Sequence, residues 1–362
     1  MAKKILLVTA AFYPENSPRS FRATELALEL VKQGNFVKIL TQKPSSDTIQ
    51  FAKKNNLSIG SFGSRQFDNF LLGNSFWKRA IRKILGLLFE FPDIEYFFLV
   101  RKALKFEIGY DLMTSFSVPY PVHWGCAYSW KKGHTSNLWI ADCGDPYMGV
   151  KYEKFKKPFY MAFVEKWMFR KVDFIAITRI SFLGNYYKEF WPKIIEIPQG
   201  FNFESVEKAK YTKNEKVTFA FAGTLSLQIR NPSKLLDYLI DLGIDFEFLV
   251  YTRTKEIVLP YEEKLSGKLK ILEIIPRDKL IYELSKVDFL VNFEFDPLTQ
   301  SPSKLIDYAI IGRPILSLSY SNFDPTVIDE FIKGDYSKAF NVENVEQYRI
   351  ENVAKKFLSL IH

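Results

Sequence analysis

Apolar positions along this chain fall into short buried runs that alternate with stretches of helical spacing. Lys3-Lys4-Ile5-Leu6-Leu7-Val8-Thr9 reads as a strand with a solvated start. Ala23, Leu26, Ala27, Leu30 and Val31 then recur on one helical face until Gly34 ends the helix, and 36–40 is the next strand. This is a βαβ opening, so a parallel sheet with right-handed crossovers is expected. Further strands are expected from Asp111, at 138–142 and at 174–178, and 194–201 closes a first domain spanning 1–201. Residues 202–216 are polar, lack apolar rhythm and read as an interdomain linker. The same grammar restarts with a strand at 217–222 and a helix from Pro232 that puts Leu235, Leu236, Leu239 and Ile240 on one face. Strands at 246–251, 269–272 and 288–293 follow, then a helix whose first turn carries Ser303 and Lys304, stopped by Gly312 before a strand at 314–318. The second domain is expected over 217–341, and the helical pattern of 342–362 is expected to pack back on the first. The class is α/β, with two βαβ domains facing across a cleft.

Two stretches depart from this rhythm. Residues 44–75, rich in Ser, Asn, Lys and Gly, read as a variable connection. After them, at ~100° per residue, Lys78, Arg79, Arg82 and Lys83 gather on one side of a helix. Trp77, Ala80, Ile81, Ile84, Leu85 and Leu88 gather on the other. Such a helix fits a membrane interface, and it equally fits a surface helix packed on its own core. Charge bears on the choice: the 362 residues carry 50 Lys and Arg against 41 Asp and Glu, a net +9. Residues 1–200 hold 29 of those cations and 17 of the acids. An anionic surface is therefore expected to meet the first half, be it a membrane leaflet or nucleic acid, while a merely solvated face stays open. Nucleic acid is disfavoured, because no motif accompanies the charge. Two cysteines, Cys126 and Cys143, exclude a disulfide framework, and no apolar run approaches the roughly 20 residues that span a bilayer. Met-Ala-Lys-Lys running straight into a strand does not read as a signal peptide, so a cytoplasmic protein is expected, with peripheral attachment to the inner face of the membrane left open.

Candidate chemistry sits in the loops. The first βα loop has no G-x-G-x-x-G, which disfavours a dinucleotide site, and its length and polarity suggest substrate contact. Asp142 and Asp145 fall at the carboxyl end of a strand, where open α/β sheets bind ligands. The strand–loop–helix unit leading into Lys304 offers free backbone N–H groups and a positive helix end to an anion. Three scattered histidines and two distant cysteines make no metal-ligand cluster; Glu294 and Asp296 fit a cation or, more simply, a solvated loop.

Five segments taken together add a resemblance. They are Pro14-Glu15-Asn16-Ser17-Pro18-Arg19, Ile140-Ala141-Asp142-Cys143-Gly144-Asp145-Pro146-Tyr147, Pro198-Gln199-Gly200-Phe201, Phe221-Ala222-Gly223-Thr224, and the run from Ser301 to Pro314. In order and spacing the chain resembles the retaining, GT-B-type glycosyltransferases of family 4 and its relatives, over nearly its whole length. That resemblance implies two Rossmann-like domains, with the second holding the nucleotide diphosphate of a UDP- or GDP-sugar. Gly223, Thr224, Ser301, Pro302, Ser303 and Lys304 match the donor-binding positions, Ile275 the place where the base packs, and Asp307 the acid that meets the ribose. Lys304 and Arg230 match cations on the diphosphate; Asn16, Ser17 and Arg19 match the loop toward acceptor and phosphate; Asp145 matches an acid near the reacting centre. The chain departs from the pattern at Thr299, Thr224, Gly144 and Tyr147, where an acid, two arginines and a tryptophan are often seen. No cofactor and no metal are implied.

The function expected is a glycosyltransferase moving a sugar from a nucleotide-diphosphate-sugar to a saccharide or lipid-linked saccharide acceptor, in bacterial-type surface polysaccharide or glycan synthesis. A nucleotide-sugar epimerase or hydrolase of the same fold and a non-catalytic nucleotide- or glycan-binding module are the alternatives.

Overall fold

A computed structural model of the chain describes residues 2–67, 76–149, 157–204, 206–228, 230–294 and 304–361. It divides into two compact units, Met1–Phe201 with Gln347–His362, and Asn202–Glu346. The first begins β1 (Lys4–Val8), α1 (Pro18–Lys32), β2 (Phe36–Gln42), α2 (Ser46–Lys54), β3 (Ser58–Gly63), α3 (Phe76–Phe89) and α4 (Glu95–Leu104). It continues β4 (Tyr110–Phe116), α5 (Pro121–Ser129), β5 (Ser136–Gly144), α6 (Met161–Lys171), β6 (Phe174–Ile177) and β7 (Ile194–Glu196). The second runs β8 (Val217–Ala222), α7 (Ser233–Asp241), β9 (Phe246–Tyr251), α8 (Leu259–Glu262), β10 (Leu269–Leu272), α9 (Arg277–Leu284), β11 (Phe289–Phe293), α10 (Lys304–Ile311), β12 (Ile315–Leu318) and α11 (Pro325–Ile332). Finally α12 (Ile350–Leu358) returns to the first unit.

Both sheets are parallel, in the orders β3-β2-β1-β4-β5-β6-β7 and β10-β9-β8-β11-β12. Alternation along each strand sorts the side chains into two layers. Leu6 and Val8 pack toward α4, α5 and α6; Ile5 and Leu7 pack toward α1, α2 and α12. In the second unit Phe219 and Phe221 pack toward α7 and α11, and Ala220 and Ala222 toward α9 and α10. Phe219 stacks on Phe248 at 4.7 Å and on Phe289 at 4.8 Å between ring centroids.

The variable connection read over 44–75 is corrected at two places, by α2 and β3. The sequence concealed them because α2 fully buries only Thr48 and Ala52, and β3, an edge strand of Ser58-Ile59-Gly60-Ser61-Phe62-Gly63, fully buries only Phe62. Neither shows the apolar rhythm that marks an element. The polar segment 206–216 lies along the second unit: Ala209 N–H donates to Ser285 Oγ at 2.8 Å and the Lys208 ammonium to the Ile310 carbonyl at 2.9 Å. At the other end, the Ile350 N–H bonds the Phe201 carbonyl, and Val353, Ala354 and Phe357 of α12 enter the layer shared with α1. Among the described residues no helix is long and apolar enough to cross a membrane.

One buried ion pair ties three pieces of the first unit together. Arg22 on α1 donates from Nε to Asp142 Oδ2 of β5 at 2.6 Å. Its two Nη atoms donate to the carbonyls of Pro198 and Ile197, just past β7. Both side chains are sealed, at 3% and 0% exposure. Removing the acid leaves a buried guanidinium without its partner. Asp142→Ala is expected to cost about 3–5 kcal/mol and to lower the melting temperature by roughly 6–20 °C in a thermal melt.

Candidate functional site

In each parallel sheet the strand order reverses once, between β1 and β4 in the first unit and between β8 and β11 in the second. At that point neighbouring crossovers leave in opposite directions, opening a crevice at the carboxyl ends of the strands. Gly223 and Thr224 follow β8, and Lys304 opens the helix after β11. Asn16, Ser17 and Arg19 follow β1, and Asp142 and Asp145 lie at the end of β5, next to β4. Each unit is described separately.

In the second unit the Lys304 ammonium is buried without a hydrogen-bond partner among the described residues, although the residue as a whole keeps some exposure. It lies over the Phe221 ring, 3.8 Å from its centroid, and 5.8 Å from that of Tyr308. Burial, with the Arg230 charge adding to it, holds the lysine well below its ordinary range. Burial likewise pulls the Arg230 guanidinium down. Arg230 is brought back toward β8 by a tight turn in which Ser226 and Arg230 exchange backbone hydrogen bonds at 3.2 and 2.9 Å. Gly223 has φ +144°, and a Cβ there would stand 3.7 Å from Lys304 Nζ, so glycine keeps the approach to the ammonium open. Tyr308, one turn along α10, accepts the Ala222 N–H at 3.0 Å and fixes α10 against the end of β8. Two cations thus converge where an anion would bind at the strand reversal.

Asp307, expected to meet a ribose, receives Nε and Nη2 of Arg277 on its Oδ1, at 3.0 and 2.6 Å. Burial pushes its carboxyl up, and Arg277 opposes that shift. Ile275, two residues before Arg277, is half-buried against the layer of α9 and α10. Glu294 accepts from the Ser317 hydroxyl at 2.9 Å. Ser301, Pro302 and Ser303, with Asp296 and Thr299, lie outside the described residues. Among those described, no group of three or more His, Cys, Asp or Glu stands in an arrangement that could hold a metal ion.

In the first unit the structure brings together Arg19 and Asp145, 126 residues apart, at 3.0 Å. The same guanidinium lies 4.0 Å from Asp142 Oδ1. The Asp145 carboxylate is otherwise open, with 69% of its side chain exposed, while the Tyr120 hydroxyl holds its backbone carbonyl at 2.6 Å. Gly144 is explained by this pairing: its φ is +52°, and a Cβ would run into the Arg19 guanidinium. Ser17 caps α1 by accepting the Ser20 N–H at 3.2 Å, and Asn16 is exposed. The loop therefore turns its arginine onto the acid pair. His123 is wholly buried between Ser115 and Cys143, and burial takes its imidazole down to about 3, so it stays neutral.

Three residues of consequence escaped the sequence reading. Arg22 and Arg277 pair with acids 120 and 30 residues away, a distance no local pattern reports. Glu165 sits inside α6 at 2% exposure, where it accepts the Tyr187 hydroxyl at 2.9 Å and the backbone N–H groups of Tyr147 and Met148. It anchors the loop that carries Asp145. Burial pushes its carboxyl up to about 7, against those hydrogen bonds and the Lys157 charge.

No protein-family model matches the chain, and no curated protein does. Solved structures do, at low identity. A glycosyltransferase from Rickettsia africae is 11% identical, with 99% of this chain and 94% of that one covered at a TM-score of 0.59. A UDP-GlcNAc 2-epimerase from Neisseria meningitidis, bound to UDP-GlcNAc, is 13% identical, with 98% of each chain covered at 0.58. HepE of Anabaena, in complex with UDP, is 9% identical, with 99% and 95% covered at 0.57. Likeness at this identity is a likeness of fold: two Rossmann-like domains of parallel strands.

Glu165 gives a pH signature. Between the ordinary 4.5 and about 7 the folded chain holds a proton that the unfolded chain has released. Its contribution is full below about pH 4.5 and lost as pH rises through 7. Urea unfolding at several pH values should show wild type losing on the order of 3 kcal/mol across that window relative to Glu165→Gln.

Proposed function

We propose that this protein is a glycosyltransferase that takes a sugar from a nucleotide-diphosphate-sugar, with the second unit holding the donor. The observation that carries the reading is the buried ammonium of Lys304, without a hydrogen-bond partner among the described residues, beside Arg230 at the strand reversal after Gly223. An isolated buried charge costs several kcal/mol. A diphosphate would supply the missing counter-charge, and the same two cations would stabilise the charge that builds on the leaving diphosphate during transfer. The UDP bound to HepE and the UDP-GlcNAc bound to the Neisseria epimerase support a uridine donor without separating it from a guanosine one. Gly223, Thr224 and Ser301 to Ser303 are assigned to the phosphates, Ile275 to the base and Asp307, steadied by Arg277, to the ribose.

In the first unit Asp145, held by Arg19, is assigned to the acceptor hydroxyl, as orienting group or base. Retention of configuration, kinship with family 4, and a saccharide or lipid-linked saccharide acceptor in surface polysaccharide synthesis rest on the sequence resemblance. The epimerase likeness supports a second reading, nucleotide-sugar epimerisation or hydrolysis. Product analysis separates the two: a transferase extends an added acceptor, an epimerase returns an altered nucleotide sugar.

Titration of UDP and GDP, with and without sugar, into wild type and Lys304→Met tests the donor site. Wild type should bind one of them and gain melting temperature, and the variant should lose that gain. No binding by wild type, or undiminished binding by the variant, removes the proposal. Without ligand the variant should be the more stable, by about 0.5–2 kcal/mol or roughly 1–8 °C. From its lowered value up to about 10.5 the unfolded lysine carries a proton the folded one lacks, so wild-type stability climbs with pH and the variant's advantage shrinks.

A further inference from the structure

Arg277 and Asp307 make an ion pair for which the fold itself has little use. Arg277 is the first residue of α9 and Asp307 lies in the first turn of α10, two helices that pack side by side, so both stand at the carboxyl edge of the second sheet. A cation at a helix start opposes the helix dipole, so helix formation does not explain Arg277. The two side chains are 36% and 24% exposed, unlike the sealed pair of Arg22 and Asp142, and an ion pair this open adds little to stability. Its geometry is lopsided. Nε and Nη2 of Arg277 both donate to Oδ1, at 3.0 and 2.6 Å, while Oδ2 accepts no hydrogen bond among the described residues. One oxygen is filled by two N–H groups and the other keeps its lone pairs open. Asp307 also stands one turn beyond Lys304 on α10, and residues three apart share a helix face. A nucleotide whose diphosphate meets Lys304 can thus set its ribose at Oδ2. The neighbouring 2′- and 3′-hydroxyls match the two lone pairs of that single oxygen, whereas a 2′-deoxyribose brings one hydroxyl.

We propose that Arg277 is a positioning residue that, by occupying Oδ1, makes Asp307 select ribonucleotide donors over 2′-deoxyribonucleotide ones, thymidine diphosphate sugars included. This rests on the donor-site reading above. The guanidinium fixes the rotation of the carboxylate and favours its ionised form, because burial pushes that carboxyl up and Arg277 opposes the shift. Among the described residues Arg277, from α9, is the charged group that bears on Asp307. Tyr308, beside it on α10, keeps its proton, since burial pushes the phenol up. Only the ionised acid is a charged acceptor for hydroxyls. Selectivity therefore falls as pH drops through the Asp307 value, and without Arg277 it falls at a higher pH.

The test titrates UDP and 2′-deoxy-UDP, or the guanosine pair where wild type prefers it, into wild type, Arg277→Met and Arg277→Lys between about pH 5 and 8. The readout is the ratio of the two affinities, in which ionisation of the phosphates cancels. Wild type should favour the ribonucleotide roughly tenfold or more near neutral pH. Arg277→Met should lose most of that preference, and what remains should fail at a higher pH. Arg277→Lys, which keeps the charge without the fork, should restore the wild-type midpoint and only part of the ratio. Melting temperature without nucleotide should stay near that of wild type in both variants. A wild-type ratio near one, or an Arg277→Met ratio and midpoint equal to those of wild type, overturns the proposal while the donor site stands. No binding of either nucleotide by wild type removes the donor-site reading, and this inference with it.

Discussion

Parallel strands bring every carboxyl end to one edge of a sheet, and that constraint organises this molecule. Each unit has one reversal of strand order, and at each reversal the crossovers part and leave polar backbone and loop side chains without a covering helix. The candidate residues are drawn from the loops and helices that meet there. Strands β1 and β8, central in their sheets, are the rigid parts against which those loops are set. Buried on both faces, they leave little freedom to the residues just after them. Gly223 has a conformation that suits glycine, and Gly144 must yield its space to a guanidinium.

The molecule handles buried charge in two ways, and the contrast separates structure from function. Arg22 is sealed with a carboxylate on one side and two backbone carbonyls on the other, so its charge is matched within the protein. That arrangement joins α1, β5 and the end of β7 and asks for no ligand. Lys304 rests on aromatic faces, with another cation as its electrostatic neighbour. A ring face returns about 2 kcal/mol or somewhat more to a desolvated cation, less than the several kcal/mol that its desolvation costs. The deficit favours any anion able to reach it. Asp145 lies between these cases: exposed, yet held by Arg19, it is ordered without being buried.

How much of this was legible in the sequence follows from the range of the interactions. Strands β1, β8 and β11 announce themselves because burial on both faces favours a largely apolar run, and β9 because buried Phe246, Phe248 and Val250 alternate with half-buried Glu247 and Leu249. Helix α1 shows its apolar rhythm because one face is dry and the other wet. Helix α5, Pro121-Val122-His123-Trp124-Gly125-Cys126-Ala127-Tyr128-Ser129, is buried over most of its surface and has no such contrast to display. Edge strand β3 fails for the opposite reason, burying too little. Candidate residues read through local motifs, such as Gly223 and Lys304, lie at the strand reversal of their unit. Pairings across the chain, Arg19 with Asp145 or Arg277 with Asp307, depend on which strands become neighbours, and no window of sequence contains that. Glu165 carries no local signal in the sequence, and only the packing of α6 against the loop after Asp145 gives it a role.

Helix α3 was visible as amphipathic from its sequence, but not which way it faced, and the direction decides its meaning. A helix that turned Trp77 and Ile84 inward would stabilise the first unit at roughly 1.5–3 kcal/mol for each large apolar side chain buried. Facing outward, it forgoes that stabilisation. Local pattern and tertiary packing agree nearly everywhere in this fold. They part at α3 and at Lys304: an apolar face left wet, and a charge left dry. Conflict of this kind lowers stability without helping the fold, so its cause lies in what the protein meets. The conflict at Lys304 is one that an anion would relieve. On the proposed donor-site reading, that anion is a nucleotide diphosphate.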